Sequence, residues 1–126
     1  MAIRTLLTDD HTLFRQGIKT LLSTAPGLEV VGEAANAADA VAQCADLRPD
    51  VVLMDVNMPG LSSFEATRQI RAIPELAGVP IIAVTSYALS GDEAKTREAG
   101  CDGYVAKPFS PRQLLAKIRE FLPDEA

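Results

Sequence analysis

The chain has 126 residues, of which 48% are hydrophobic and 23% are charged, a composition that predicts one globular domain over residues 1–126 and excludes a disordered chain. The net charge of −5 argues against direct binding to nucleic acid, because phosphate contacts need a basic surface. The sequence has no signal-peptide pattern and no run of about 18 apolar residues, so neither secretion nor membrane insertion is predicted. Cys44 and Cys101 lack metal-ligand spacing, which indicates a reduced, cytoplasmic protein.

Strand-like and helix-like patterns alternate from the N-terminus onward. Residues 3–8 favour a short strand, and an apolar helical repeat from Leu13 to Leu22 follows it. Residues 28–32 predict a second strand, and Asn36 is a suitable N-cap for a second helix. This part of the chain therefore predicts two strand-helix units in succession.

The rest of the chain continues this alternation. Residues 50–55 form an apolar run between two acids, which is typical of a central strand covered by helices on both faces. The further predicted elements are a helix capped by Ser62 or Ser63, a strand at 81–85, a polar helix at 90–100, a strand at 104–106 and a helix that begins at Pro111 after Ser110. This order predicts an α/β fold: a doubly wound (βα)₅ five-stranded parallel sheet, flavodoxin-like, with strand order 2-1-3-4-5.

Basic residues occur at helical spacing in the first and last helices. They are Arg15, Lys19, Arg112, Lys117 and Arg119. An amphipathic helix needs a polar side, so we interpret these residues as the solvated faces of the two helices.

A polar side chain stands at the end of four of the five predicted strands. Asp9 and Asp10 follow the first strand, Asp55 the third, Thr85 the fourth and Lys107 the fifth. Ligand sites in such sheets form beyond the carboxyl ends of the strands, so these five side chains are predicted to converge on one pocket.

The predicted pocket has the ligands of a magnesium site and the groups of a phosphoryl-transfer site. Three carboxylates held close repel one another unless a cation sits among them, and oxygen-only ligands suit Mg²⁺. Asp55 can then attack phosphorus as a carboxylate nucleophile, while Lys107 and Thr85 contact phosphoryl oxygens. The alternatives are that Asp9 and Asp10 only cap the first helix, and that Thr85 and Lys107 are ordinary polar residues.

The segments TDDH, MDVNMPG, VTSYA and GYVAKPF occur in this order along the chain. Together they closely resemble the response-regulator receiver domain over essentially the whole sequence. The resemblance implies that Asp55 is the phosphoacceptor and that Asp9, Asp10, Asp55 and the backbone carbonyl of Asn57 bind Mg²⁺. It also implies that Thr85 and Tyr104 form a conformational switch. The alternative for Tyr104 is a half-buried aromatic residue of the strand.

The same resemblance implies one partner upstream and one partner downstream of the receiver. A sensor histidine kinase or a histidine phosphotransfer protein supplies the phosphoryl group, and a downstream protein binds a surface within residues 87–122. The opening TDDHTLFRQGIKTLL is similar to receivers attached to helix-turn-helix effectors, whereas VTSYA and KPF are similar to free-standing or hybrid-kinase receivers. Whether the chain is a whole protein or one part of a longer regulator therefore stays open.

Three further interpretations concern single residues and rival functions. Asn57 and Tyr87 are predicted to flank the path of the hydrolytic water and so to set the lifetime of the phosphoryl group. His11 is interpreted as a helix-start residue rather than as a metal ligand. The rival functions are a Mg²⁺-dependent phosphohydrolase of the haloacid-dehalogenase type, which needs an acid where Asn57 stands, and a receiver-like module that is not phosphorylated.

Overall fold

The computed structural model describes residues 3–24, 27–55, 63–85, 97–106 and 111–121. The strands are β1 (Ile3–Thr8), β2 (Leu28–Ala34), β3 (Val51–Asp55), β4 (Ile81–Thr85) and β5 (Gly103–Ala106). The helices in these ranges are α1 (Thr12–Ser23), α2 (Ala37–Leu47), α3 (Ser63–Arg71), a 3₁₀ turn (Pro74–Leu76) and α4 (Pro111–Phe121). Residues 97–99 are also helical and lead into β5.

The five strands are all parallel and lie in the order β2-β1-β3-β4-β5, which confirms the predicted topology. Thr8 pairs with Met54, and Asp55 pairs with Val84 in the next strand. This register aligns the carboxyl ends of β1, β3 and β4. The residues that follow these strands therefore meet at one edge of the sheet.

The sheet is covered on both faces, and the alternating side chains of β3 contribute to both. Val52 and Met54 belong to a core shared with α2 and α3, whereas Val51 and Leu53 belong to a second core shared with α1 and α4. All five residues of β3 are buried, as the continuous apolar run predicts for a central strand.

The helix boundaries follow capping chemistry. Asn36 accepts a hydrogen bond from the backbone N–H of Asp39 at 2.8 Å, which confirms it as the N-cap of α2. Arg48 ends the same helix with a φ of 49°, in the left-handed region. β2 continues to Ala34, two residues beyond its predicted end, because its pairing with β1 extends to Thr8.

The predicted apolar face of α1 was wrong at one position. Leu13 is 83% exposed, whereas Leu22 is buried and Ile18 and Leu21 pack against the same core. The buried face of α1 is centred on Ile18, Leu21 and Leu22, and the helical periodicity places Leu13 outside that face.

Arg71 ties the end of α3 to the loops that enter β4 and β5. Its Nε and Nη2 donate to the carbonyl oxygen of Gly100 at 3.0 and 2.8 Å, and it also contacts the carbonyl oxygen of Val79 and the carboxylate of Asp102. Asp102 in turn accepts from the backbone N–H of Ile81 at 2.9 Å. We call this set of contacts the Arg71 clamp.

Within the described ranges, no helix combines the length and apolar character that crossing a bilayer requires.

Candidate functional site

Three carboxylates meet beyond the carboxyl ends of β1 and β3. Asp55 is the last residue of β3 and is 1% exposed, and Asp9, just after β1, is 4% exposed. One oxygen from each of Asp9, Asp10 and Asp55 and one ring nitrogen of His11 all lie within 4.8 Å of one another. We call these four residues the acidic cluster. The three acids that the sequence placed at strand ends are therefore brought together.

The backbone and side chain of Asp9 are held by several hydrogen bonds. Its N–H donates to the carbonyl oxygen of Ala34 at 3.0 Å, and its Oδ1 accepts from the N–H of His11 at 2.8 Å. The Nδ1 of His11 lies 3.0 Å from the same oxygen. Asp9 thus accepts from the backbone N–H of His11, which is itself the N-cap of α1, and Asp9 is also a member of the acidic cluster.

Among the described residues, Asp10 carries the buried carboxylate oxygen of the cluster that lacks a hydrogen-bond donor. Its Oδ1 is buried and accepts no hydrogen bond from any residue in the described ranges, and His11 Nδ1 lies 3.3 Å away from it. A buried carboxylate oxygen without a hydrogen-bond donor is unfavourable, and a nearby cation relieves that cost. Carboxylates within 4.8 Å of one another also repel. The cluster therefore has the chemistry of a cation site.

The donor set of the cluster fits a hard divalent ion. Carboxylate oxygens from two strand ends are ligands that Mg²⁺ accepts, with its other positions filled by water or phosphate oxygens. His11 is the N-cap of α1, as expected for a helix-start residue, but its ring also lies in the cluster. The side chain is 64% exposed, so a nitrogen ligand is available at the rim for a softer ion.

Two hydroxyl residues adjoin Asp55. Ser63, the first residue of α3, is buried, and its Oγ donates to the carbonyl oxygen of Asp55 at 2.5 Å. Thr85 is the fully buried last residue of β4, one position beyond the partner of Asp55 in the sheet register. The sequence predicted Thr85 here. It indicated Ser63 only as a helix cap and missed its contact with Asp55.

Tyr104 lies in β5, opposite Ala83 of β4. Its ring packs against the core shared with α2 and α3, and its hydroxyl oxygen is buried without a hydrogen-bond partner in the part of the chain that the structure describes. Asn57, Tyr87 and Lys107, the other predicted site residues, lie outside the described residues.

The interpretation of Arg15 as part of a solvated face was wrong. Only 15% of its side chain is exposed, its Nη1 donates to the carbonyl oxygen of Asp9 at 2.5 Å, and its Nε lies 3.4 Å from Oε1 of Glu33. The sequence offers no signal for the contact with Glu33, because Glu33 lies eighteen residues further along the chain and on another element.

The cysteines are buried core residues outside the acidic cluster. Burial raises the pKa of the Cys44 thiol to about 12, and burial also raises the pKa of Cys101. A reactive cysteine needs a lowered pKa and access to solvent, so neither thiol is suited to act as a nucleophile.

Comparison with known proteins agrees with this geometry. Residues 5–119 match the family described as the response regulator receiver domain. The response regulator UvrY of Escherichia coli K12 is 43% identical over 117 residues, which are 93% of this chain and 53% of UvrY. The chain thus spans about half the length of the curated relatives it matches.

Two solved structures are similar over almost the whole chain. A LuxR-family two-component response regulator from Aurantimonas is 37% identical, with a TM-score of 0.89 over 97% of this chain and 86% of that one. The chemotaxis response regulator CheY4 of Vibrio cholerae is 30% identical, with a TM-score of 0.88 over 96% of this chain and 99% of that one.

The fold and the site define a doubly wound α/β domain with an acidic cluster at the carboxyl edge of its sheet. The family match and the relatives assign this domain to a particular family. The chain belongs to the response-regulator receiver family, a class of signalling domain in two-component systems.

Proposed function

We propose that this receiver accepts a phosphoryl group on Asp55 in a Mg²⁺-dependent reaction. The observation that carries the proposal is the buried Asp10 Oδ1, which accepts no hydrogen bond from the described residues and lies beside Asp9 and Asp55. A divalent cation at this point balances the charge of the three carboxylates. Without such a cation, the arrangement is electrostatically unfavourable.

The proposed ligands are the carboxylates of Asp9, Asp10 and Asp55 and the backbone carbonyl of Asn57. When bound, Mg²⁺ neutralises the charge of these carboxylates and of the phosphoryl oxygens that approach them. Asp9 and Asp55 are almost fully buried. The ion therefore meets ligands that are already held in place by the sheet.

In the proposed reaction, a carboxylate oxygen of Asp55 attacks phosphorus and forms the new phosphorus-oxygen bond. The bond between phosphorus and the donor breaks in line with this attack, and the donor leaves with the electron pair and takes up a proton from solvent. The ammonium group of Lys107 and the hydroxyl of Thr85 contact the other phosphoryl oxygens. Thr85 also moves toward the phosphate, and the Tyr104 ring, which packs against the core in this structure, changes its position in response.

The donor is a histidine phosphorylated on a sensor kinase or on a histidine phosphotransfer protein. The output is a downstream protein that binds within residues 87–122. One similar solved structure is titled a DNA-binding response regulator of the LuxR family, and another is the chemotaxis regulator CheY4. A DNA-binding regulator and a chemotaxis regulator are thus both found among similar proteins, and the mass of the native gene product distinguishes a receiver linked to an effector from a free-standing one.

The two rival functions have less support. A phosphohydrolase of the haloacid-dehalogenase type needs a general acid two residues after its nucleophile, and this chain has Asn57 there. A receiver-like module that is not phosphorylated has no need for the three carboxylates that gather at Asp9, Asp10 and Asp55.

The test is incubation of the purified chain with acetyl phosphate and Mg²⁺, followed by intact-mass measurement. We expect wild type to gain one phosphoryl group, and we expect no gain in EDTA. Asp55→Asn keeps the size of the side chain but removes the nucleophilic oxygen, so it should gain nothing. An equal gain in EDTA, or a gain in Asp55→Asn, would contradict the proposal.

A further inference from the structure

We propose that Arg15 is a positioning residue that holds the Asp9–Asp10 pair in the geometry that binds the divalent ion. This inference rests on the proposed function, because it concerns the same metal site. It starts from one contact: the largely buried guanidinium of Arg15 donates to the backbone carbonyl of Asp9, a residue of the acidic cluster.

The contact acts on the peptide unit that joins the two acids. The carbonyl of Asp9 belongs to a planar group that ends at the Cα of Asp10, so fixing the carbonyl oxygen also fixes the direction in which Asp10 leaves the strand. On its other side, Asp9 is held by the bond from its N–H to Ala34. Both peptide groups of Asp9 are therefore restrained. The peptide group that joins Asp9 to Asp10, and so sets the direction of Asp10, is restrained by Arg15.

The guanidinium is itself anchored by Glu33 of β2. Arg15 Nε lies 3.4 Å from Oε1 of Glu33, and Lys19 Nζ lies 3.1 Å from Oε2. The backbone carbonyl of Glu33 accepts from Gln43 of α2 at 2.6 Å. A planar guanidinium can span Asp9 and Glu33 at once, whereas a lysine ammonium at the same position is a single point charge.

If the charge of Arg15 were its only influence, replacing it would change metal affinity in the opposite direction. The sign of the change in affinity therefore tests the inference. Arg15 carries a positive charge next to a site for a cation, so its removal should tighten metal binding if Coulomb repulsion were its only influence. If Arg15 orients the ligands, its removal should weaken metal binding. Residues that orient metal ligands typically change affinity by about 10–100-fold when they are replaced.

The experiment measures the dissociation constant of Mn²⁺ by electron paramagnetic resonance of the free ion, with Mg²⁺ as competitor, in four proteins. These are wild type, Arg15→Met, Arg15→Lys and Lys19→Met. We expect binding to weaken about tenfold in Arg15→Met and less in Arg15→Lys. Lys19→Met removes a cation that shares Glu33 but does not contact Asp9, so it should stay within about twofold of wild type.

A second readout separates positioning from general damage to the fold. In Arg15→Met, the Mg²⁺ concentration that half-saturates phosphorylation by acetyl phosphate should rise, while the rate at saturating Mg²⁺ should stay close to that of wild type. Thermal unfolding in EDTA reports whether each variant folds. If Arg15→Met does not fold, the comparison of Arg15→Lys with Lys19→Met decides the question.

Equal or tighter metal binding in the folded Arg15 variants would overturn the inference and leave the proposed function intact. An equal loss in Lys19→Met would also overturn it, because the effect would then belong to Glu33 or to net charge. If wild type bound neither ion, the proposed function would fail first.

Discussion

At the scale of single residues, the site combines rigid and adjustable parts. Asp9 and Asp55 are almost fully buried and hydrogen-bonded to their surroundings, whereas Asp10 presents a buried oxygen that accepts no hydrogen bond within the part of the chain that the structure describes. Such an oxygen gains most from a cation, because it has the least compensation in the apo protein. Of the three carboxylates, that of Asp10 should therefore gain the most stabilisation from a bound metal ion.

Tyr87 gives a prediction about the lifetime of the phosphoryl group. Asn57 and Tyr87, two residues beyond Asp55 and Thr85, are expected to flank the line along which water attacks phosphorus, and Asn57 offers no general base. If the tyrosine ring raises the barrier by about 1 kcal/mol, Tyr87→Ala should lose its phosphoryl group several-fold faster than wild type. The measurement is the decay of phosphorylated protein at saturating Mg²⁺, and unchanged or slower decay would show that the ring does not shield the phosphate.

The residues of the site differ in how well the sequence could predict them. Asp9, Asp10, Asp55 and Thr85 follow apolar runs, so the strand pattern alone brings them to one edge of the sheet. The contact of Arg15 with Asp9 depends on how α1 crosses the end of β2, where Glu33 lies. No local pattern encodes that crossing, and the helical spacing of Arg15 indicated an exposed face instead.

At the scale of elements, strands were easier to predict than the orientation of helices. The third and fourth strands were predicted to within one residue, because buried parallel strands are continuous apolar runs. The face of α1 was less certain. Its apolar residues cover more than one side, and packing against the sheet selects Ile18, Leu21 and Leu22 while leaving Leu13 exposed.

The Arg71 clamp predicts a selective loss of stability. Arg71→Met removes the hydrogen bonds to Gly100 and Asp102 and leaves their oxygens without this donor. We expect the free energy of unfolding to fall by about 1–3 kcal/mol. Arg68→Met on the same helix is the matched control, because Arg68 is exposed and pairs only at 3.5 Å with Glu65. Its effect should stay within about 0.5 kcal/mol, and equal urea-denaturation curves for the two variants would refute this role of the clamp.

Cys44 predicts how stability changes at alkaline pH. Burial raises the pKa of this thiol in the folded state from 9.0 to about 12. Above pH 9.0 the unfolded chain releases the thiol proton while the folded chain retains it, so the free energy of unfolding falls between pH 9.0 and about 12. Cys44→Ala lacks this contribution and should lose less stability between about pH 8 and about pH 10. Parallel pH slopes in urea denaturation would contradict the assignment.

At the scale of the whole molecule, the sheet connects the acidic cluster to a distant edge. Asp55 and Thr85 lie on the adjacent strands β3 and β4, and β4 pairs with β5, which carries Tyr104. The Tyr104 hydroxyl is buried without a partner among the described residues, so an alternative position of the ring that satisfies it has an energetic benefit. We therefore propose that the Tyr104 ring takes part in a two-state surface.

We therefore predict that phosphorylation changes amide exchange within residues 87–122. A phosphoryl group can shift the two states only as far as its contacts with them differ, and we propose the Lys107 ammonium as one such contact. Lys107→Ala should still be phosphorylated on Asp55 but should show a smaller change. Hydrogen exchange followed by mass spectrometry checks both statements, and identical exchange before and after phosphorylation would contradict the predicted output surface.

The position of the phosphoryl group tests the central claim most directly. An aspartyl phosphate is reduced by borohydride, which converts the modified aspartate into homoserine and so marks its place in the chain. After reaction with acetyl phosphate and Mg²⁺, reduction and peptide sequencing by mass spectrometry should find homoserine at Asp55, with Asp9 and Asp10 unchanged. Homoserine at Asp9 or Asp10, or its absence from Asp55 in protein whose mass has increased, would contradict the account.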